Sequence, residues 1–199
     1  MRQLVIGILG SLLFWFHANA TEQSPSSAND QGLKASAARA RSGVLKVECL
    51  GQNGANSSAI LSAVAIDDDG DLLTVGLGAP GDRRLCVWDC DGKRHDAQWV
   101  GADEESGLTL LKVKPGTVTA MPVADSKPEV GSMVIVVGNP LGLSHSVSFG
   151  NISGLDRTVN FSGSTGRRLI QFTAPIHPGD SGGLLADSQG RMVGIIRTA

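Results

Sequence analysis

Two small antiparallel β-barrels in one chain are what this sequence predicts. Three observations predict them: apolar runs of four to eight residues, turn residues at fairly regular intervals between the runs, and no amphipathic helix after residue 38. In order, the runs are Val44 to Leu50, Ala59 to Ile66, Asp71 to Thr74, Leu85 to Cys90, Ala97 to Val100 and Leu108 to Val113, followed by Met133 to Val137, Val147 to Ile152, Leu169 to Ala174 and Met192 to Ile196. Ten such strands fit an all-β fold of two small barrels. Asp69-Gly70 and Asp91-Gly92 supply the positive-φ residues that tight hairpins require. Between Val113 and Val130 a stretch bearing Pro115, Pro122 and Pro128 reads as the link between the halves. The folded region is therefore expected over 39–199, with barrel 1 at about 39–120 and barrel 2 at about 121–199.

What precedes that region reads differently. Arg2, an apolar run from Leu4 to Phe16 and the small residues Ala18 and Ala20 form the pattern of a cleavable signal peptide over 1–20, cut after Ala20. Thirteen apolar residues fall short of the roughly 20 that a spanning helix needs, so export is expected rather than a membrane anchor. Residues 21–38, rich in Ser, Ala, Asn and Gln without apolar periodicity, are expected to be a flexible linker. The expected location is secreted or periplasmic, with no membrane contact after cleavage.

Composition narrows the function classes. The 199 residues are 41% hydrophobic and 18% charged, with a formal net charge of -2 and no Lys/Arg cluster. That is ordinary globular composition, with no electrostatic footprint for nucleic acid. Cys49, Cys86 and Cys90 are an odd number and imply no disulfide framework, although a pair involving Cys49 stays open. No His accompanies them at ligand spacing, and neither a metal nor a cofactor is expected.

The segment richest in chemistry is Pro178-Gly179-Asp180-Ser181-Gly182-Gly183. Glycines around a serine allow a tight turn that exposes the hydroxyl and aims the amides of Gly179 and Ser181 at one point, an oxyanion hole for acyl transfer. A flexible loop is the plain alternative on spacing alone.

Four blocks in order resemble the trypsin-like serine proteases, most closely the HtrA (DegP-type) branch. They are SAVAIDDDGDLLT from Ser62, VGADEESGLTLLKV from Val100, GSMVIVVGNPLGLSHSVSFGNISGLDR from Gly131 and QFTAPIHPGDSGGLLADSQGRMVGI from Gln171. The resemblance implies the trypsin-like double barrel, with peptides or unfolded proteins as partners and a homo-oligomer as an open possibility. It also implies that Ser181 stands at the nucleophile position. The family's catalytic histidine falls on Leu77, three residues after Thr74, and its aspartate falls on Gly107, before Leu108-Thr109-Leu110-Leu111. Leucine cannot take a proton from serine. Loss of the base costs on the order of 10⁶ in turnover, about 8 kcal/mol of barrier.

Each remaining histidine has a bland reading. His95 is expected on a solvated strand, His145 in the loop after Gly-Asn-Pro, and His177 four residues before Ser181 on too short a tether to reach its hydroxyl. Asp67, Asp68 and Asp69 are expected to be a solvated turn. In the family, more chain follows the last strand, whereas this sequence stops at Ala199. Either the sequence is incomplete or the second barrel is left with an exposed edge. Three functions are therefore open: an exported pseudoprotease that binds peptides or unfolded protein, a weakly active serine endopeptidase using Ser181 with a non-standard base, and a truncated, non-functional family member.

Overall fold

The computed structural model of the protein describes residues 6–9, 12–15, 28–51, 60–161 and 164–197. Strands β1 (Ile6–Leu9) and β2 (Leu12–Trp15) pair as a short antiparallel hairpin. The expected cleavage point at Ala20 lies outside the described residues, as do residues 21–27 of the expected linker.

Residues 28–38 are not a linker but most of a helix, α1 (Ala28–Ser42). Ala-rich sequence favours it, Asp30 in the first turn and Arg39 and Arg41 in the last complement its dipole, and Lys34 pairs with Asp30 at 2.7 Å. Its apolar face is narrow but used. Ala40 is fully buried and Leu33 packs against the same cluster. Polar composition hid a helix whose anchoring side chains are too few to give a periodic signal.

Six strands then close into a barrel in the order β3-β4-β5-β8-β7-β6. They are β3 (Val44–Leu50), β4 (Ile60–Ala65), β5 (Asp71–Val75), β6 (Arg84–Trp88), β7 (Arg94–Ala102) and β8 (Leu108–Lys112). Alternate residues fill it: Leu45, Val47, Leu72, Leu85, Val87 and Leu111 are almost wholly buried inside. Each such side chain contributes roughly 1.5–3 kcal/mol of burial. Cys49 faces this interior while Cys86, a neighbour of the inward-facing Leu85 and Val87, faces away. The pairing left open for Cys49 does not form, since none of the three cysteines is in a disulfide.

The second unit is a curled five-stranded sheet in the order β11-β10-β9-β12-β13. It is built from β9 (Met133–Gly138), β10 (Ser146–Phe161), β11 (Ser164–Phe172), β12 (Leu184–Asp187) and β13 (Met192–Ile195). Strand β12 was not foreseen, because its four residues follow directly on the glycines of the serine turn. Strand β10 pairs with β9 through Asn151 and with β11 from Ile152 onward, with register shifts at Gly154 and Arg157 that bend it around the corner. Successive residues of β9 point to opposite faces. Val134 and Val136 face the second unit's own core, while Ile135 and Val137 join Val44, Val64, Met121 and Leu184 in a seam between the two units. A near-continuous apolar run is what such two-sided burial demands.

The acidic turn is solvated as expected, with Asp68 and Asp69 exposed, and it is also structural. Asp67 Oδ1 accepts the Asp71 N–H at 2.8 Å, which holds its carboxyl below the usual range. Asp68 Oδ1 accepts the Ala120 N–H at 2.8 Å and so ties the connecting segment to barrel 1.

Candidate functional site

Where the two units meet, three segments come together. The first is the end of β5. Gly182 lies so close to the Ser62 carbonyl and to Thr74 that a Cβ there would strike both, and its φ of 83° is one that glycine adopts without strain. Thr74 Oγ1 donates to the Ser62 carbonyl at 2.6 Å, and the Ser62 N–H donates to the Ser181 carbonyl at 2.9 Å. The serine turn is thus fastened to barrel 1.

The second segment is the pair of loops carrying Leu77 and Gly107. The Gly76 N–H donates to the Gly107 carbonyl at 3.0 Å, and the Gly107 N–H donates to the Asp103 carbonyl at 2.8 Å. Thr109 Oγ1 and Trp99 Nε1 donate to the Leu77 carbonyl at 2.9 and 3.2 Å. The structure therefore brings together two of the positions that the sequence singles out. The Leu77 side chain is 8% exposed and belongs to the apolar core of barrel 1.

The third segment is the turn from His177 to Gly183. The Pro178 carbonyl accepts the Leu141 N–H at 2.8 Å, which in a trans peptide turns the Gly179 N–H the opposite way. The Gly179 carbonyl accepts Ser62 Oγ at 2.8 Å, so both peptide planes flanking Gly179 are fixed. Ser181 is half-buried, and the Gly182 N–H donates to the Ile196 carbonyl at 2.8 Å. Asp180, 3% exposed, accepts the His177 N–H through Oδ2 at 2.7 Å. Burial pushes its carboxyl above the ordinary range, against the His177 hydrogen bond and charge.

A buried polar hub at Asn139 joins the segments. Asn139 Nδ2 donates to the Leu45 carbonyl at 3.2 Å and to Ser62 Oγ at 2.9 Å, its N–H donates to Ser62 Oγ at 3.0 Å, and its Oδ1 accepts the His145 N–H at 2.9 Å. Ser62 Oγ thereby uses its one proton and both lone pairs. Ser62 and Asn139 were not foreseen in this role. Their signal was a serine within an apolar strand and an asparagine following one, side chains that must find partners once buried.

Two of the histidines are committed elsewhere. His145 is 6% exposed, and its Nε2 lies 2.9 Å from the Val44 carbonyl. A carbonyl only accepts, so Nε2 carries the proton. Burial lowers the ring's pKa, against the pull of that hydrogen bond. His95 is not on a solvated face, since its side chain is 8% exposed and Nε2 lies 2.8 Å from Asp89 Oδ2 at the β6–β7 hairpin. His177 is exposed on the serine turn. Among the described residues no group of His, Cys, Asp or Glu is arranged to hold a metal.

Comparison with known proteins agrees with this architecture. A family model described as "Trypsin-like peptidase domain" matches residues 44–195. A putative serine protease HhoA of Synechocystis is 38% identical over 140 residues, covering 67% of this chain and 35% of that protein. The periplasmic serine endoprotease DegP of Escherichia coli is 33% identical over 157 residues, covering 74% and 33%. This chain thus spans about a third of the length of these relatives. Among solved structures, the HtrA-type protease AlgW with tripeptide superposes with a TM-score of 0.72 at 32% identity, covering 86% of this chain and 54% of that one. The serine endoprotease from Yersinia pestis gives 0.69 at 26% identity, covering 87% and 58%. This chain belongs to the family of trypsin-like peptidase domains, and within it to the HtrA type of serine protease.

Proposed function

We propose that this protein is an exported, catalytically impaired HtrA-type pseudoprotease that binds peptides or unfolded protein segments in the cleft beside Ser181. In this reading Ser181 stands at the nucleophile position, Gly179 and Ser181 supply the oxyanion-hole amides, and Leu77 and Gly107 stand where the base and its carboxylate belong. The observation that carries it is the placement of Leu77: its side chain lies in the apolar core of barrel 1 and has no atom that accepts a proton. A serine hydroxyl with no base beside it attacks a peptide carbonyl slower by about 10⁶. His145 and His95 direct Nε2 to Val44 and Asp89.

Peptide binding is supported by the HtrA-type relative whose structure holds a tripeptide, and by the fixed peptide planes around Gly179. Export, and a periplasmic location in particular, is supported by the apolar run from Leu4 to Phe16 and by relatives named as periplasmic. The reading is tested with the protein lacking residues 1–20, incubated with a denatured protein and, separately, with a fluorophosphonate probe. Fluorescence anisotropy should register peptide binding, while neither cleavage products nor labelled serine accumulates. Labelling abolished by Ser181→Ala would overturn the reading in favour of a serine endopeptidase with a non-standard base.

A further inference from the structure

Beside the proposed positions of the base and its carboxylate lies a third feature, visible only in the folded chain. An ideal Cβ built on Gly107 lies 3.4 Å from Nη1 of Arg197 and 3.7 Å from its Cζ. The guanidinium therefore lies in van der Waals contact with a Cβ at position 107, next to where a longer side chain there extends. It arrives from the other half of the molecule. The Ile196 N–H donates to the Gly183 carbonyl, and the Ile196 carbonyl accepts the Gly182 N–H, each at 2.8 Å. Arg197 thus follows directly on the backbone pair that holds the serine turn, and its side chain reaches across to barrel 1. Gly107 is equally constrained by Gly76 and Asp103, and the Asp103 carboxylate is turned to the N–H and hydroxyl of Ser106 at 2.8 and 2.5 Å.

We propose that Arg197 is a blocking residue of this site, so that restoring the histidine and the aspartate does not restore a working triad while the guanidinium remains. The inference rests on the proposed assignment of positions 77 and 107. Its physical basis is competition for one carboxylate. A triad aspartate works by holding the imidazole in one tautomer and stabilising it when protonated. A carboxylate at position 107 meets a guanidinium at contact distance, and guanidinium and carboxylate form a two-pronged, charge-assisted pair that turns the oxygens away from the imidazole and cancels their charge. The backbone itself does not forbid the carboxylate: φ of 71° at Gly107 is a conformation that aspartate visits more readily than most residues.

The test compares the double variant Leu77→His/Gly107→Asp with the triple variant that adds Arg197→Thr, both in the protein lacking residues 1–20. Titration of the introduced imidazole by NMR should give a pKa higher by about one unit in the triple variant, because the carboxylate then faces the ring. Fluorophosphonate labelling at pH 7 should be at least tenfold faster in the triple than in the double variant. Equal pKa values and equal labelling rates would overturn the proposal. Thermal unfolding of Gly107→Asp, with and without Arg197→Thr, gives a second readout that needs no catalysis. The loss of Tm caused by Gly107→Asp should be a few degrees larger once Arg197 is gone, and an unchanged loss counts against the proposal. These comparisons separate the two readings, since Ser181-dependent labelling of the unsubstituted protein overturns the inactive assignment and leaves the coupling between positions 107 and 197 measurable.

Discussion

The two halves of the molecule contribute to the candidate site in opposite ways. In the second unit the turn around Ser181 is held peptide by peptide, through Leu141 to Pro178, Ser62 to Gly179, Ser62 to the Ser181 carbonyl and Gly182 to Ile196. In barrel 1 the backbone frame is held as firmly, by Gly76, Thr109 and Trp99, yet what it presents is a buried leucine and a glycine. Hydrogen bonds that fix a site are made mostly by main chain, whereas the chemistry of a site is made by side chains. Under the proposed assignment of positions 77 and 107, a frame outlasts its chemistry, and a leucine that joins a core contributes to stability where a catalytic residue does not.

The contrast breaks first at the hub that both halves share. Asn139→Ala leaves the Leu45 carbonyl and the His145 N–H buried without their side-chain partner, at about 1–3 kcal/mol each, and also removes one bond to Ser62 Oγ. We expect a loss of about 4 kcal/mol and a Tm lower by about 10 °C, read by calorimetry. A smaller effect is expected within barrel 1 alone. Leu77→Ala should cost about 2–3 kcal/mol as an ordinary core truncation, read by urea unfolding, with no change in peptide affinity. A change near zero would mean that Leu77 faces the cleft rather than the core, and the comparison between the halves would lose its basis.

Most of the fold was legible, since each of the ten apolar runs became a strand, and barrel strands bury alternate residues in a pattern that sequence displays directly. What escaped did so for identifiable reasons. Strand β12 is four residues long and continues a glycine turn, so its pairing with β9 and β13 carries no local signal. Helix α1 docks through Leu33 and Ala40, too little to outweigh its polar composition. At the candidate site, block resemblance is what puts Ser181, Gly179, Leu77 and Gly107 forward, and their catalytic assignment stays a proposal. Arg197 was not, because its guanidinium meets Gly107 across 90 positions of sequence and only the fold closes that distance.

The smallest expected effects sharpen the comparison through pH, because the seam and the serine turn titrate with opposite sign. His145 sits in the seam with its pKa lowered by burial. Below about pH 6.5 the unfolded chain takes up a proton that the native ring resists, so this group's contribution to stability is full above that pH and falls on acidification. Asp180, under the serine turn, has its pKa raised by burial. The native state takes up its proton before the unfolded chain does, so its contribution is full below about pH 3.9 and is lost as pH rises through the folded pKa. Asp180→Asn removes the buried charge and keeps an oxygen for the His177 N–H. It should therefore raise Tm at pH 7 by about 2–4 °C, the shift of roughly 1 kcal/mol in a chain of this size, with the gain vanishing at pH 4. His145→Gln preserves an N–H for Val44 and should flatten the decline of Tm between pH 7 and 5. A Tm that changes with pH identically in both variants and the parent would show that neither group titrates differently on folding. An acid loss carried by His145 together with an acid gain carried by Asp180 would show that acid weakens the seam while relieving the serine turn.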